Sequence, residues 1–499
     1  MNQDNGGVIG KINTPTTTLA SGVWSLDSQF DSQSSSIWPL AFPQVTFTNS
    51  CRFNDDDSNY LNKTFSGNGN RRTFTLSWWF KNMGGNVHMK SGSSGDFFTL
   101  DNNSQRLRLN GADSTVDKFQ LICNRVFRDP SAWYNFVAAF DTTQSTASDR
   151  VKFYVNGSQI TSFATENYPT QNYETQWGNS SLSHGIGARP DGNHYFDGHM
   201  TEIIYVDGQQ LTPSSFGLTN PVTNIWEPRA YTGTYGTNGF KLNFSDSSNL
   251  GDDTSGNGND FTAQNMSSTN QSTDTCSNNF ATLNPLATNT NTSSSDFSEA
   301  NLELGPNSSS TWVGCTNTIG VTSGKWYAEY KIIEAGSSQN GIMVGVTNSD
   351  LSDFQDGSSD LSQSGEFGLN YYAAGTINNN GSGIATYTAM SDGDIVQIAL
   401  DVDNGKVYWG RNGTYENSGD PTSGSTGTGA QNLSLITTGG TYNLHLCCRN
   451  TGHAQANYGS PPYSISSGNA DANGHGNFEY APPTGYFALC TKNLAEFGG

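Results

Sequence analysis

The sequence predicts an all-β protein: two antiparallel jelly-roll-type β-sandwiches joined by an irregular linker and preceded by an extended N-terminal arm. Three observations predict it. Short segments of alternating apolar and polar residues recur along most of the chain, Gly, Asn and Asp clusters punctuate them, and no segment sustains a helical period. The aromatic content, 27 Phe, 21 Tyr and 10 Trp among 499 residues, is enough to fill cores, whereas a disordered chain is poor in aromatics and rich in charge.

Charge and cysteine usage exclude several functions. Only 13% of residues are charged, so polarity comes from Asn, Ser, Thr and 56 Gly. The 23 basic and 44 acidic residues give a formal charge of −21. No run of Lys or Arg forms a patch, which argues against nucleic acid, because phosphates require a clustered cationic footprint. Dispersed acidity serves solubility. The seven cysteines form no C-x-x-C pair, and Cys447 and Cys448, adjacent in a strand, point to opposite faces. Buried free thiols are expected, as in a protein assembled in a reducing cytoplasm. The N-terminus lacks a basic segment followed by an apolar one, and there is no 18-residue apolar run, so neither a signal peptide nor membrane insertion is expected.

Taken in order, residues 1–45 carry Pro15, Pro39 and Pro43 among many Ser and Thr and predict an extended arm. Trp24, Ile37, Trp38 and Phe42 make that arm too apolar for an idle tail, so it is expected to dock on a larger assembly. Residues 46–217 form the first sandwich. Residues 73–80 alternate small polar with large apolar side chains, and 151–155 lead into the hairpin signal Asn156-Gly157. Thr212, Pro213 and Gly217 mark one short helical turn.

Residues 218–295 read as a linker. Trp226, Tyr231, Tyr235, Phe240, Leu242 and Phe244 can pack on the first sandwich, but Ser, Asn, Asp and Gly dominate 246–279. Residues 296–499 form the second sandwich, with strands at 325–330, 341–346, 395–400 and 406–409. After them Asn412-Gly413 opens a loop to Gly429 that is too long for a tight hairpin.

Three resemblances rest on these residues. Asp129-Pro130-Ser131-Ala132-Trp133-Tyr134, Asp141, the run 149–157 and Tyr195-Phe196-Asp197-Gly198 resemble the laminin-G-like, concanavalin-A-like module over about 46–217. Residues 324–329, 341–346, 392–396 and 407–413 resemble a SPRY-type sandwich over about 296–490. With the aromatic arm and the run 255–262, the whole chain resembles virion structural proteins of marine, cyanophage-like tailed bacteriophages.

That last resemblance implies a virion structural protein without fixing a tail, fibre or capsid position; the leading expectation is an external tail or fibre component that binds a host-surface glycan or protein without catalysis. It implies other virion proteins as partners, a homo-oligomer with a trimer favoured, and a place on the virion surface after synthesis in the host cytoplasm. A capsid or vertex decoration protein is the second reading, and a surface glycan hydrolase the third.

No catalytic residue emerges. A retaining glycosidase needs two carboxyl groups about 5–5.5 Å apart, commonly on an E-x-D-x-x-E strand, and Glu202 and Glu329 each lack a second acid on their strand face. No nucleophile elbow, P-loop or H-E-x-x-H pair occurs. For sugar binding, rings beside Asn and Asp are the candidates: Tyr168, Tyr173, Trp177 and Tyr195 in the first module, and Tyr371, Tyr372, Tyr387 and Tyr415 in the second. Asp55, Asp56 and Asp57 supply oxygen ligands of the kind calcium prefers. No other cofactor is implied.

Overall fold

Strand Thr73–Gly85 shows how the pattern folds: Phe74, Leu76, Trp78 and Phe80 share one face and are fully buried. Thr75, Ser77, Trp79 and Lys81 on the other face are buried as well, and contacts with Gln209, Leu211 and Asp274 help to cover it. The computed structural model describes residues 45–85, 87–93, 95–100, 104–113, 116–220, 224–305, 310–337, 341–348, 368–436 and 440–498. The docking residues proposed for the arm, Trp24, Ile37, Trp38 and Phe42, lie outside the described residues.

The protein is mostly β, built of antiparallel sheets that pack as sandwiches. One sheet of the first sandwich runs Ser158–Gln159, Val151–Val155, Trp133–Asp141, Thr73–Gly85, Phe196–Asp207, Ser50–Phe53, Gln271–Ser272. The facing sheet runs Phe163–Asn167, Val116–Val126, Arg106–Asp113, Phe97–Leu100, Val87–Ser91, Ser183–Ile186, Tyr60–Thr64, Thr262–Gln264. Between them lies an aromatic core that includes Trp78, Phe98, Phe136, Phe140 and Trp177. Trp78 and Phe136 meet tilted at 4.6 Å between centroids and Phe98 and Trp177 edge to face at 5.7 Å, arrangements that quadrupoles favour.

In the second sandwich one sheet begins with Leu283–Thr288, Val313–Asn317, Asn443–Cys448 and Ile342–Thr347. The other centres on Lys325–Glu334, flanked by His453–Asn457 and Ile395–Asp401. Trp326, Tyr330, Val344, Ile398 and Trp409 fill the space between. Cys448 joins that core while Cys447 sits in a small outer cluster with Trp312 and Tyr372, so the adjacent thiols do take opposite faces. All seven cysteines are free.

Local signals explain much of this. Asn156 (φ 47°) and Gly157 (φ 76°) form the two-residue turn between Val151–Val155 and Ser158–Gln159, both in the left-handed region that such a turn requires. The predicted helical turn is a 3-10 turn at Pro213–Ser215.

Two expectations are corrected. Asn412-Gly413 closes a tight hairpin, because Arg411 pairs with Thr414 and Gly410 with Tyr415, and the following residues fold into 3-10 turns. The segment 218–295 is no irregular linker: Phe240–Leu242, Thr262–Gln264 and Gln271–Ser272 add strands to the first sandwich and Leu283–Thr288 to the second. Its polar side chains are consumed internally, as when Asp253 accepts from the backbone of Lys241, Ser255 and Asn259.

The two halves are tied together. Arg52 of the first sandwich donates to the carbonyls of Pro461 and Pro462, each at 3.0 Å, and pairs with Glu299 at 2.8 Å. Ser272 and Ser460 share a hydroxyl contact at 2.6 Å, and Phe280 bridges to Cys490.

Candidate functional site

Where the first sandwich meets residues 294–301, five stretches of chain, one of them carrying Leu100 and Gln105, enclose a polar cleft of about 490 Å³, within the range of small-molecule sites. The turn after Ser50–Phe53 supplies Asp55 and Asp56, and the end of Thr73–Gly85 supplies Asn82, Met83 and Gly84. Strand Phe196–Asp207 begins with Asp197, and the far wall carries Ser294, Ser295, Phe297 and Asn301.

Asn82 matters most among these. Its Oδ1 is buried and has no hydrogen-bond partner among the described residues, whereas buried polar atoms are almost always paired. Asp197 is 7% exposed and accepts from the Ala300 amide at 3.1 Å. Burial, reinforced by Asp55, Glu299 and Asp56, holds its carboxyl well above the usual carboxylate range. Burial and Asp56 raise Asp55 in the same direction. The cleft thus combines hydroxyls, an amide acceptor and carboxyl groups, a set suited to the hydroxyls of a polyol.

The residues predicted from sequence are scattered. Trp177, Tyr371, Tyr372 and Tyr387 are corrected from exposed platforms to core residues, 0%, 0%, 8% and 8% exposed. Large rings gain most by burial, and Asn-rich surroundings do not alter that. Tyr168 and Tyr173 pack half-buried on the first core and Tyr415 on a small cluster of the second half. Tyr195 donates to the Gly192 carbonyl and lies 6.2 Å from the ring of Tyr60. None of the eight lines the cleft. Trp177→Ala is expected to destabilise by about 3–5 kcal/mol, as truncating a buried Trp does; a urea melt checks this.

The aspartate triplet is corrected too. Consecutive residues of one turn diverge, so Asp55 and Asp56 face the cleft while Asp57 faces Glu299. Among the described residues no group of three or more His, Cys, Asp or Glu is placed to hold a metal ion. His184 is buried and accepts from the Gly178 amide at 3.0 Å, with burial lowering its pKa to about 4. His194 is exposed. Asn82, Asp197, Ser294, Ser295 and Asn301 were not legible as a site, although Asp197 belongs to the Phe-Asp-Gly turn that marks the fold.

Among solved structures, the SPRY domain of human HERC1 is similar at 16% identity and a TM-score of 0.23, covering 30% of this chain and 83% of that one. A heptameric SAP-like pentraxin from Limulus polyphemus is similar at 14% identity and a TM-score of 0.26, covering 34% and 80%. A human SPRY domain is similar at 12% identity and a TM-score of 0.22, covering 31% and 87%. No curated protein matches the chain. Residues 54–215, which contribute most of the cleft, match the model of the concanavalin A-like lectin/glucanases superfamily, and that stretch is a concanavalin A-like domain.

Proposed function

We propose that the protein is an external component of a tailed-phage virion, in the tail or a fibre, that binds a host-surface glycan in this cleft without catalysis. The polar cleft, where Asn82 is set among carboxyl and hydroxyl groups on a lectin-type module, carries the glycan reading. The whole-chain resemblance and the apolar arm support the virion reading, with Trp24, Ile37, Trp38 and Phe42 docking on neighbouring virion proteins and copies of the chain forming a trimer.

Asn82→Ala and Asp56→Ala are each expected to weaken glycan binding about tenfold, the worth of one or two hydrogen bonds, with thermal stability little changed for the exposed Asp56. Titration against host-surface polysaccharide, with melting curves alongside, checks this. Antibody labelling of particles separates a tail or fibre position from a capsid one. One observation favours a second reading, hydrolysis: a carboxyl raised by burial beside other carboxylates is how a general acid is prepared, and Asp197 faces Asp55 and Asp56. Release of reducing ends from host glycan, lost in Asp197→Asn, would replace the binding reading with that one.

A further inference from the structure

Lys81, on strand Thr73–Gly85, is fully buried, and so is Asp274 at 1% exposure. The Lys81 ammonium donates to Asp274 Oδ2 at 2.8 Å, to Asn279 Oδ1 at 2.7 Å and to the Phe280 carbonyl at 3.0 Å. An amine and a carboxyl group buried from water are therefore held against a half-buried carboxamide. These are the nucleophile, the proton carrier and the acyl group of an amide exchange, already positioned.

We propose that Lys81 and Asn279 condense into an intramolecular amide cross-link, with Asp274 carrying the proton and ammonia as the leaving group. The surroundings orient each partner. Asn279 Nδ2 donates to the Ser131 carbonyl at 2.6 Å, which turns its Oδ1 towards the amine. Asp274 Oδ1 accepts from Trp133 Nε1 at 3.0 Å and from the Phe280 amide at 3.2 Å, leaving Oδ2 for Lys81. The Asn279 backbone is pinned on both sides by Thr491.

The reaction balances without a further reagent. Asp274 takes a proton from the ammonium, and the freed Nζ lone pair attacks Asn279 Cγ, forming the new C–N bond. Asp274 then returns the proton to Nδ2, the Cγ–Nδ2 bond breaks and the carbonyl reforms. The surplus proton on the new amide nitrogen leaves with the ammonia as ammonium. Lys81 ammonium and Asn279 carboxamide become one secondary amide and one ammonium ion, and Asp274 is unchanged. The bond closes a loop across 198 positions, in a chain whose seven cysteines are all free.

Intact-mass and peptide mass spectrometry of the full-length, unaltered protein test this. The chain is expected to be lighter than its sequence by one ammonia, and digestion to release a branched peptide joining Lys81 to Asn279. Lys81→Met and Asn279→Ala are expected to restore the full mass, and Asn279→Asp to reach the same cross-linked mass by losing water. A full-mass unaltered chain, even after prolonged incubation at neutral pH, with Lys81 and Asn279 in separate linear peptides, would overturn the proposal whatever the variants do.

Discussion

Replacing Arg52 by Met is expected to lower the stability of the whole chain by about 3–5 kcal/mol, the cost of breaking a buried charge pair from one side. Arg52 is 2% exposed and lies on Ser50–Phe53 between strands Phe196–Asp207 and Gln271–Ser272. Its guanidinium serves Glu299 and the carbonyls of Pro461 and Pro462, so its loss strands one buried carboxylate and two acceptors. Arg52→Lys is expected to rescue little, because a single ammonium lacks the planar fork that reaches three acceptors. Urea denaturation followed by tryptophan fluorescence measures the shift. A midpoint unchanged in Arg52→Met would mean that the two sandwiches do not depend on this contact.

Raising the pH from about 5 to about 8 is expected to remove a stabilising contribution of Glu329, against the opposite contribution of the buried imidazoles of His88, His184, His199 and His445, whose pKa burial lowers. Glu329 is fully buried on strand Lys325–Glu334 and accepts from Tyr327, Asn457 and the amides of Glu479 and Tyr480. Burial nevertheless dominates and pushes its pKa up from 4.5 to about 7. Between those values the folded protein keeps a proton that the unfolded chain has released, so stability is full below about 4.5 and falls as pH rises to about 7. The loss is on the order of 3 kcal/mol for such a group. Asp96, 2% exposed and pushed by burial to about 7, adds to it with the same sign. Glu329→Gln is expected to be less stable at acidic pH and to show a shallower pH slope. Denaturation midpoints at three pH values check both, and a pH slope in Glu329→Gln equal to that of the unaltered chain would contradict the account.

What the sequence revealed depended on range. Residues 73–80 and 395–400 could be placed as strands because each carries its own alternation, and Asn156-Gly157 fixes its turn by backbone preference alone. The strands inside 218–295 could not be found, being two to six residues long and paired with partners as remote as Cys51 for Gln271. Nothing local distinguishes Gln271–Ser272 from a polar loop. Trp177 and Tyr371 look like ligand platforms by their neighbours in sequence, yet their neighbours in space are Phe98 and Tyr387. The cleft escaped notice for the same reason, since Asp56, Asn82, Asp197 and Ser295 meet only when both halves are folded.

Glycan-array binding of the full chain, run beside Ser295→Trp, tests the central claim most directly. Ser295 is exposed on the cleft wall, so an indole there fills the cleft without entering either core. The account predicts that the wild-type chain binds a defined set of glycans, and that Ser295→Trp, with an unchanged melting temperature, loses them all. Equal binding by both proteins, or no glycan bound by the wild type, would contradict it.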